Sequence, residues 1–392
     1  MNKSQVKSRI LETVDQRRQE LVDISLELHR NPELSFQETK AAALLSGYLE
    51  KNGFKVERGI CGLPTAFRGT YGSGKPPVVA VLAEYDALPE VGHACGHNVI
   101  AGAAMGAGVA AKATVDAFGG TLVVLGTPGE EGGGGKIVMA EQGAFDGLDC
   151  AMMVHPSRRD SAMTDALAAI GIKAEFFGKA AHAASDPEAG INALEALILS
   201  FNNINSLRQH IGEKARIHGI IKSGGAAANI VPDYASGVFL VRAPDMAYLE
   251  QLKGRVLDCF SGAALATGAR LKYDWNEKYY ASMKNSLTLA RLFSQNMEAV
   301  GRRIDPHLPR MGMGSTDMGN VSQVVPSIHG WVAIAPPDVT EHTLEFARAA
   351  ASETGHKGLV DGAKAMALTV ADLLAKPELL AMLKREHADH RD

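Results

Sequence analysis

Near the start of the chain, apolar residues recur at helical spacing. Ile10, Val14, Leu21, Ile24 and Leu28 sit between charged positions, which predicts one amphipathic helix over 4–30 that stops at Asn31-Pro32. A second helix is expected from about Ser35, apolar on one side across 39–50 and closed by Asn52-Gly53. The helical period then disappears. Residues 77–82, 120–125 and 151–154 are continuously apolar and are separated by helical stretches, so they read as parallel strands covered on both faces. The Ala- and Gly-rich helix expected at 99–112 should pack closely on that sheet, and a shorter helix at 137–142 follows the glycine run 132–135.

Each apolar run leads into residues with acid–base or ligand chemistry. The first reaches Glu84 and Asp86, the second Glu130 and Glu131, the third His155-Pro156. In open α/β sheets, ligands bind outside the carboxyl ends of the strands, so these residues are expected to share one crevice. From about residue 168 the pattern changes. A strand at 170–177, a helix at 191–211, strands at 217–221 and 235–241, a helix at 246–266 and a strand at 271–275 give the order β-α-β-β-α-β of a ferredoxin-like unit. The segments 287–300, 317–324 and 359–375 return to α/β character. The expected fold class is therefore α/β. A mostly parallel-sheet domain covers 1–167 and 281–392, with a ferredoxin-like α+β domain inserted at 168–280.

Composition narrows the function classes. At 392 residues the chain is too long for one ordinary core, which agrees with two domains. A net charge of −4 without a basic patch argues against nucleic acid or an anionic membrane as partner. Four widely spaced cysteines are not a disulfide framework and suit a reducing cytosol. Residues 2–20 lack the apolar centre of a signal peptide, and the small-apolar run 99–111 is short of a membrane span. A cytoplasmic protein free in solution is expected.

The chemistry centres on Gly92-His93-Ala94-Cys95-Gly96-His97-Asn98. Thiolate and neutral imidazole are good ligands for a borderline-soft divalent metal, and the flanking glycines allow a tight turn. Adjacent carboxylates at Glu130 and Glu131 point in different directions, so one can ligate a metal while the other acts as base on its water. The glycines at 132–135 do not make a phosphate loop, because Glu130 and Ile137 stand where a Walker motif needs Gly and Ser or Thr. His155, His182, Asn229 and Arg242 are each ordinary singly, and spacing alone does not choose among His329, His342 and His356. His29 reads as structural.

Together these residues resemble the M20 family of metallopeptidases and amidohydrolases. The likeness is to its branch of aminoacylase-1-like proteins and p-aminobenzoyl-glutamate hydrolase subunits. It runs through His29-Arg30-Asn31-Pro32-Glu33-Leu34-Ser35, Tyr85-Asp86-Ala87-Leu88-Pro89, residues 93–98, 126–136 and 178–183, Asn229-Ile230-Val231-Pro232, Gly314-Ser315-Thr316-Asp317 and His342-Thr343. The resemblance implies two divalent metal ions per subunit, zinc or manganese, and an inserted lid domain through which subunits form a homodimer. By position, Cys95 would bridge both metals, His97 and His155 would complete one site, and Glu131 and His342 the other. Glu130 would be the general base, and His182 would reach the active site of the partner subunit to stabilise the oxyanion. Asn229 and Arg242 would hold the substrate carboxylate.

The resemblance implies hydrolysis of an amide in a small N-acyl amino acid, dipeptide or aryl-amide such as p-aminobenzoyl-glutamate. The alternatives are a cysteine hydrolase using Cys95 and His97, a non-catalytic metal-binding relative, and deamination of an aromatic amine. Three departures stand out. Asn98 replaces a common Asp. Glu84 replaces a His, leaving His97 as ligand and Asp86 as a group that orients it. Gly129 replaces a common Ala and is expected to be neutral.

Overall fold

The computed structural model describes residues 1–304 and 314–389. Two compact units emerge, one from residues 1–165, 283–304 and 316–389, the other from 166–282 with 314–315.

The first unit opens with α1 (Lys3–Gln16), whose start is closed by a reciprocal pair: Asn2 accepts from the Gln5 backbone and Gln5 accepts from the Asn2 backbone. The single helix expected over 4–30 is in fact two, because Arg17 (φ −96°, ψ 4°) separates α1 from α2 (Arg18–Arg30). The bend costs little. Val6, Ile10 and Val14 still share a core with Leu21, Ile24 and Leu28. The next helix, α3 (Thr39–Lys51), starts later than expected. Residues 33–38 are instead a turn in which Phe36 has φ 63°, and the Glu33 carboxylate accepts from the Lys40 and Ala41 backbones.

The strands that follow are β1 (Lys55–Arg58), β2 (Phe67–Gly72), β3 (Val78–Ala83), β4 (Thr121–Gly126) and β5 (Cys150–Ser157). Between β3 and β4 lies α4 (His97–Phe118), and between β4 and β5 lies α5 (Gly135–Glu141). Val79 and Val81 of β3 enter one core while Val78, Ala80 and Leu82 enter the other. β4 and β5 divide in the same way, with Leu122, Val124, Met152 and Val154 on one face and Val123, Leu125, Ala151 and Met153 on the other. Period-2 side chains meeting apolar surroundings on both faces explain why the sequence pattern is unbroken. At 22 residues, α4 runs further than expected. By length and composition it is long and apolar enough to cross a membrane, but it is packed inside this unit with 89% of its most apolar window buried.

The second unit contains β6 (Ala168–Phe177), α6 (Ala193–Arg208), β7 (Arg216–Ser223), β8 (Tyr234–Ala243), α7 (Met246–Thr267) and β9 (Arg270–Trp275). Its antiparallel sheet has the order β7-β8-β6-β9, the ferredoxin-like arrangement. Ile170, Ile172, Ala174 and Phe176 alternate inward against Leu197 and Ile204 of α6 and Leu252, Val256 and Phe260 of α7.

The chain then re-enters the first unit through α8 (Leu287–Ala299), α9 (Met318–Val324), β10 (Ser327–Ala333), α10 (Leu344–Ala350), α11 (Glu353–Leu374) and α12 (Pro377–Asp389). Among the described residues the first sheet has six strands in the order β1-β2-β4-β3-β5-β10. β4, β3, β5 and β10 are mutually parallel, and the short β1–β2 edge is antiparallel. All four parallel strands point their carboxyl ends the same way, and the chemically active residues lie there.

Candidate metal centre

Glu84 and Asp86 follow β3, Glu130 and Glu131 follow β4, and His155 lies near the end of β5. Cys95 comes just before α4, and His97 is its first residue. The bend between them needs Gly96. It has φ 79°, and a Cβ there would lie 2.4 Å from Pro156 Cγ. His342 joins from far along the chain. Its backbone N–H donates to the Ala94 carbonyl at 2.9 Å, and its own φ is 66°.

These segments bring the donor atoms together in overlapping groups: Cys95 with His97 and His155, Cys95 with Glu131 and His342, and His97 with Glu130 and Glu131. Within each group the donor atoms lie within 4.8 Å of one another. Cys95 Sγ is 3.4 Å from His155 Nε2, and His342 Nε2 is 3.4 Å from Glu131 Oε1. The outer ring nitrogens are already committed. His155 Nδ1 donates to the Pro156 carbonyl at 2.7 Å, and His97 Nδ1 donates to Asp86 Oδ1 at 3.0 Å. As neutral rings, both therefore turn an Nε2 lone pair inward, the state a ligand needs. Glu131 Oε1 is buried and faces the His342 ring, and the equally buried His97 Nε2 has no hydrogen-bond partner. Buried polar atoms are rarely left so. A thiol, imidazoles and a carboxylate, with an orphan nitrogen turned inward, fit divalent cations of the zinc type.

Electrostatics agrees with that fit. Burial pushes the Cys95 thiol well above its ordinary range, so a nearby cation is what would make it a thiolate. Burial raises Glu130 strongly, and the charges of Glu84, Asp317 and Glu131 add to it. Burial would raise Glu131 as well, but the hydrogen bond and charge of His342 and the charge of His97 hold it below the usual carboxylate range.

Two buried carboxylates shape the loop after β4. Asp86 Oδ2 accepts from Ser35 Oγ at 2.8 Å and from the Glu131 backbone at 2.9 Å. Glu38 accepts from the backbones of Phe36 at 2.8 Å and Gly129 at 2.9 Å, and from Thr65 Oγ1 at 2.9 Å. Asp86 therefore holds the His97 ring in place and also anchors the neighbouring acidic loop. At Gly129 the turn as built suits glycine. Its φ is 72°, and a Cβ would lie 2.6 Å from Phe36 Cζ.

Asn98 stays outside the donor set. Its amide donates to Ser25 Oγ and the Ala350 carbonyl, tying α4 to α2 and α10. His93 is also outside, buried and stacked on His29 at 6.2 Å, and burial lowers it to about 3. His29 Nε2 meets the Ala347 carbonyl at 2.9 Å, a structural bond. Among the three late histidines, only His342 joins the donor groups. His329 is buried 5.4 Å from the His155 ring, and His356 lies on α11 beside Glu353.

Sequence reading missed a charged triad beside this cluster. Lys136, fully buried at the start of α5, pairs with Glu84 Oε1 and, at 2.7 Å, with Asp317 Oδ1. Glu84 Oε2 lies 3.6 Å from His97 Nε2. An unpaired buried ammonium would cost several kcal/mol, and burial does depress Lys136, but Asp317 and Glu84 more than compensate and hold it charged. The one clue in the sequence was a lysine in front of Ile137-Val138-Met139, a stretch too apolar for a surface turn.

His182, Asn229 and Arg242 belong to the second unit. His182 Nδ1 accepts from the Ala184 and Ser185 backbones at 3.2 and 3.1 Å, so the neutral ring carries its proton on Nε2 as a donor. The Asn229 carbonyl accepts from Ala183 at 3.0 Å, which places Asn229 on the strand-like segment paired with His182. Arg242 donates to Ser315 Oγ at 2.7 Å near the end of β8.

A parallel sheet whose strand ends gather thiol, imidazole and carboxylate donors, with a ferredoxin-like insertion, is the design of a metallopeptidase-type hydrolase. Residues 80–365 match the peptidase family M20/M25/M40, and the chain belongs to that family. The Xaa-Arg dipeptidase of Mus musculus is 37% identical over 396 residues, covering 97% of this chain and 92% of the relative. One of the p-aminobenzoyl-glutamate hydrolase subunits of Escherichia coli K12 is 31% identical over 455 residues, covering 97% of this chain and 94% of the relative. A dinuclear metal-binding M20 peptidase of Bacillus subtilis shares the fold with a TM-score of 0.73 at 19% identity, covering 92% of this chain and 99% of that one.

Proposed function

We propose that this hydrolase cleaves the amide bond of a small dipeptide or N-acyl amino acid, using two divalent cations. The single observation that carries this reading is the convergence of Cys95, His97, Glu131, His155 and His342 into overlapping groups whose donor atoms lie within 4.8 Å of one another. Cys95 would touch both cations, His97 and His155 would hold one, and Glu131 and His342 the other; zinc suits this donor set, and manganese is the alternative. When bound, the cations polarise the scissile carbonyl and lower the pKa of the attacking water. Glu130 takes the proton from that water as the C–O bond forms, and then delivers it to the amine nitrogen as the C–N bond breaks. His182, from the partner subunit of a homodimer, donates its Nε2–H to the carbonyl oxygen as charge builds there. Arg242 and Asn229 hold the substrate's carboxylate.

The dipeptide reading is favoured because the mouse dipeptidase is 37% identical, against 31% for the bacterial hydrolase subunit, at equal coverage of this chain. An aryl-amide such as p-aminobenzoyl-glutamate is the other candidate, from the bacterial relative. A homodimer through the second unit is supported by its edge strand β7, where Ile220 is 59% and Ile221 46% exposed. A cytoplasmic setting is supported by the four free cysteines, Cys61, Cys95, Cys150 and Cys259.

The test is Glu130→Gln, assayed on Xaa-Arg dipeptides, N-acetyl amino acids and p-aminobenzoyl-glutamate with zinc and with manganese. The expected variant keeps two metals per chain and loses roughly 10²–10⁴ in kcat. Wild-type turnover in the variant, or full activity of the wild type after chelation, overturns the reading.

A further inference from the structure

We propose that Lys136 is a positioning residue that clamps the 127–135 loop and so fixes the carboxylate of Glu130. Lys136 takes this role only if Glu130 is the proton acceptor, as read above. The loop between β4 and α5 carries both Glu130 and Glu131, and it is tied at its front, middle and far end. Its front is held by the Gly129 backbone on Glu38, and its middle by the Glu131 backbone on Asp86. Lys136 holds its far end doubly. Asp317 Oδ2 accepts the Lys136 backbone N–H at 2.9 Å and Asp317 Oδ1 accepts the ammonium at 2.7 Å, while Glu84 takes the same ammonium from the end of β3.

The Lys136 clamp joins three segments far apart in sequence: the end of β3, the start of α5 and the start of α9. The loop between the ties has little slack. Gly135 donates back to the Gly129 carbonyl at 3.3 Å, and a Cβ on Gly135 would fall 1.7 Å from the Pro128 carbonyl oxygen. A shift of α5 is therefore passed directly to Glu130. Stability alone does not explain the triad, because a buried ion network is commonly no better for stability than apolar residues of the same volume. Its place, at one end of the loop that presents the base, does. A misplacement of a reacting group by about 1 Å can cost on the order of 10² in rate.

The test uses the full-length, metal-replete protein. Lys136→Met alone leaves two buried carboxylates facing each other and risks misfolding. The working variants are therefore Asp317→Asn, which keeps the Glu84–Lys136 pair, and Lys136→Met with Asp317→Asn, which keeps the net charge of the triad. Bound metal per chain, kcat and KM are measured separately, well below each variant's Tm. Hydrogen exchange is followed by mass spectrometry over 127–135. In the double variant, kcat should fall 10- to 100-fold with KM within twofold, two metals retained, and faster exchange confined to the loop. Asp317→Asn should fall in between.

A folded, metal-replete double variant with kcat within twofold of wild type, or unchanged loop exchange, overturns the proposal. So does a KM rise at unchanged kcat. Glu130→Gln run in parallel separates the failures. If it is inactive while the triad variants behave as wild type, only the role of Lys136 falls. If it is active, the reading of the base falls first.

Discussion

Asp86 carries more than one duty on a single carboxylate. One oxygen meets His97 Nδ1; the other accepts from Ser35 and from the Glu131 backbone. Burial would raise this group, but the hydrogen bond and charge of His97 outweigh it and keep Asp86 well below the ordinary carboxylate range. Asp86→Asn can still accept one bond but frees the His97 tautomer, so metal affinity should drop roughly 10–100-fold, measured by competition with a chromophoric chelator. Unchanged affinity would mean that His97 is oriented by packing alone. Gly129→Ala must place a methyl against Phe36 in a left-handed backbone. A loss of about 1–3 kcal/mol is expected in urea unfolding, and a neutral result would show that Phe36 can swing away. At this scale the sequence was only partly readable. Cys95 and His97 announce themselves by spacing, and Glu130 and Glu131 by adjacency. His342 did not, because nothing local separates it from His329 and His356. Lys136 did not, because its partners lie 52 and 181 residues away along the chain.

Elements were legible where both faces meet apolar neighbours. β3, β4 and β5 show as unbroken apolar runs. β10 was hidden because Ser327, His329 and Gly330 interrupt its run, although it pairs fully with β5. β1, with the sequence Lys-Val-Glu-Arg, is a short exposed edge and carries no burial signal. The break at Arg17 was equally silent, since the apolar period continues through it. Packing between elements can be tested at Asp372 on α11. It binds Lys3 at 2.5 Å and Lys7 at 2.8 Å from α1, and Asn296 at 2.9 Å from α8. Burial alone would raise this carboxyl, but those partners lower it. A group depressed in the folded state adds stability that is full above its unfolded value and fades as pH falls through the folded one. Asp372→Asn should therefore have a lower Tm than wild type at pH 7, and the gap should close below about pH 4. A gap that stays constant to pH 2 would show that its charge does not matter.

For the whole molecule, the β-α-β-β-α-β order was plain from periodicity, and the sheet order agrees with the ferredoxin-like reading. Assembly is a different matter, because association depends on which apolar residues remain outside. Ile220→Lys with Ile221→Glu should convert the proposed dimer to a monomer in light scattering. Turnover should fall while both metals stay bound, since His182 would no longer be supplied across the interface. A dimer that survives both changes places the contact elsewhere.

Donor order along the chain has one more consequence. Cys95, His97, Glu131 and His155 all precede the insertion, and His342 alone comes after it. On the proposed assignment, one cation would be held by residues from the first half, whereas the other would need His342. Loading should be sequential during maturation, and His342→Ala should leave a protein holding one ion instead of two.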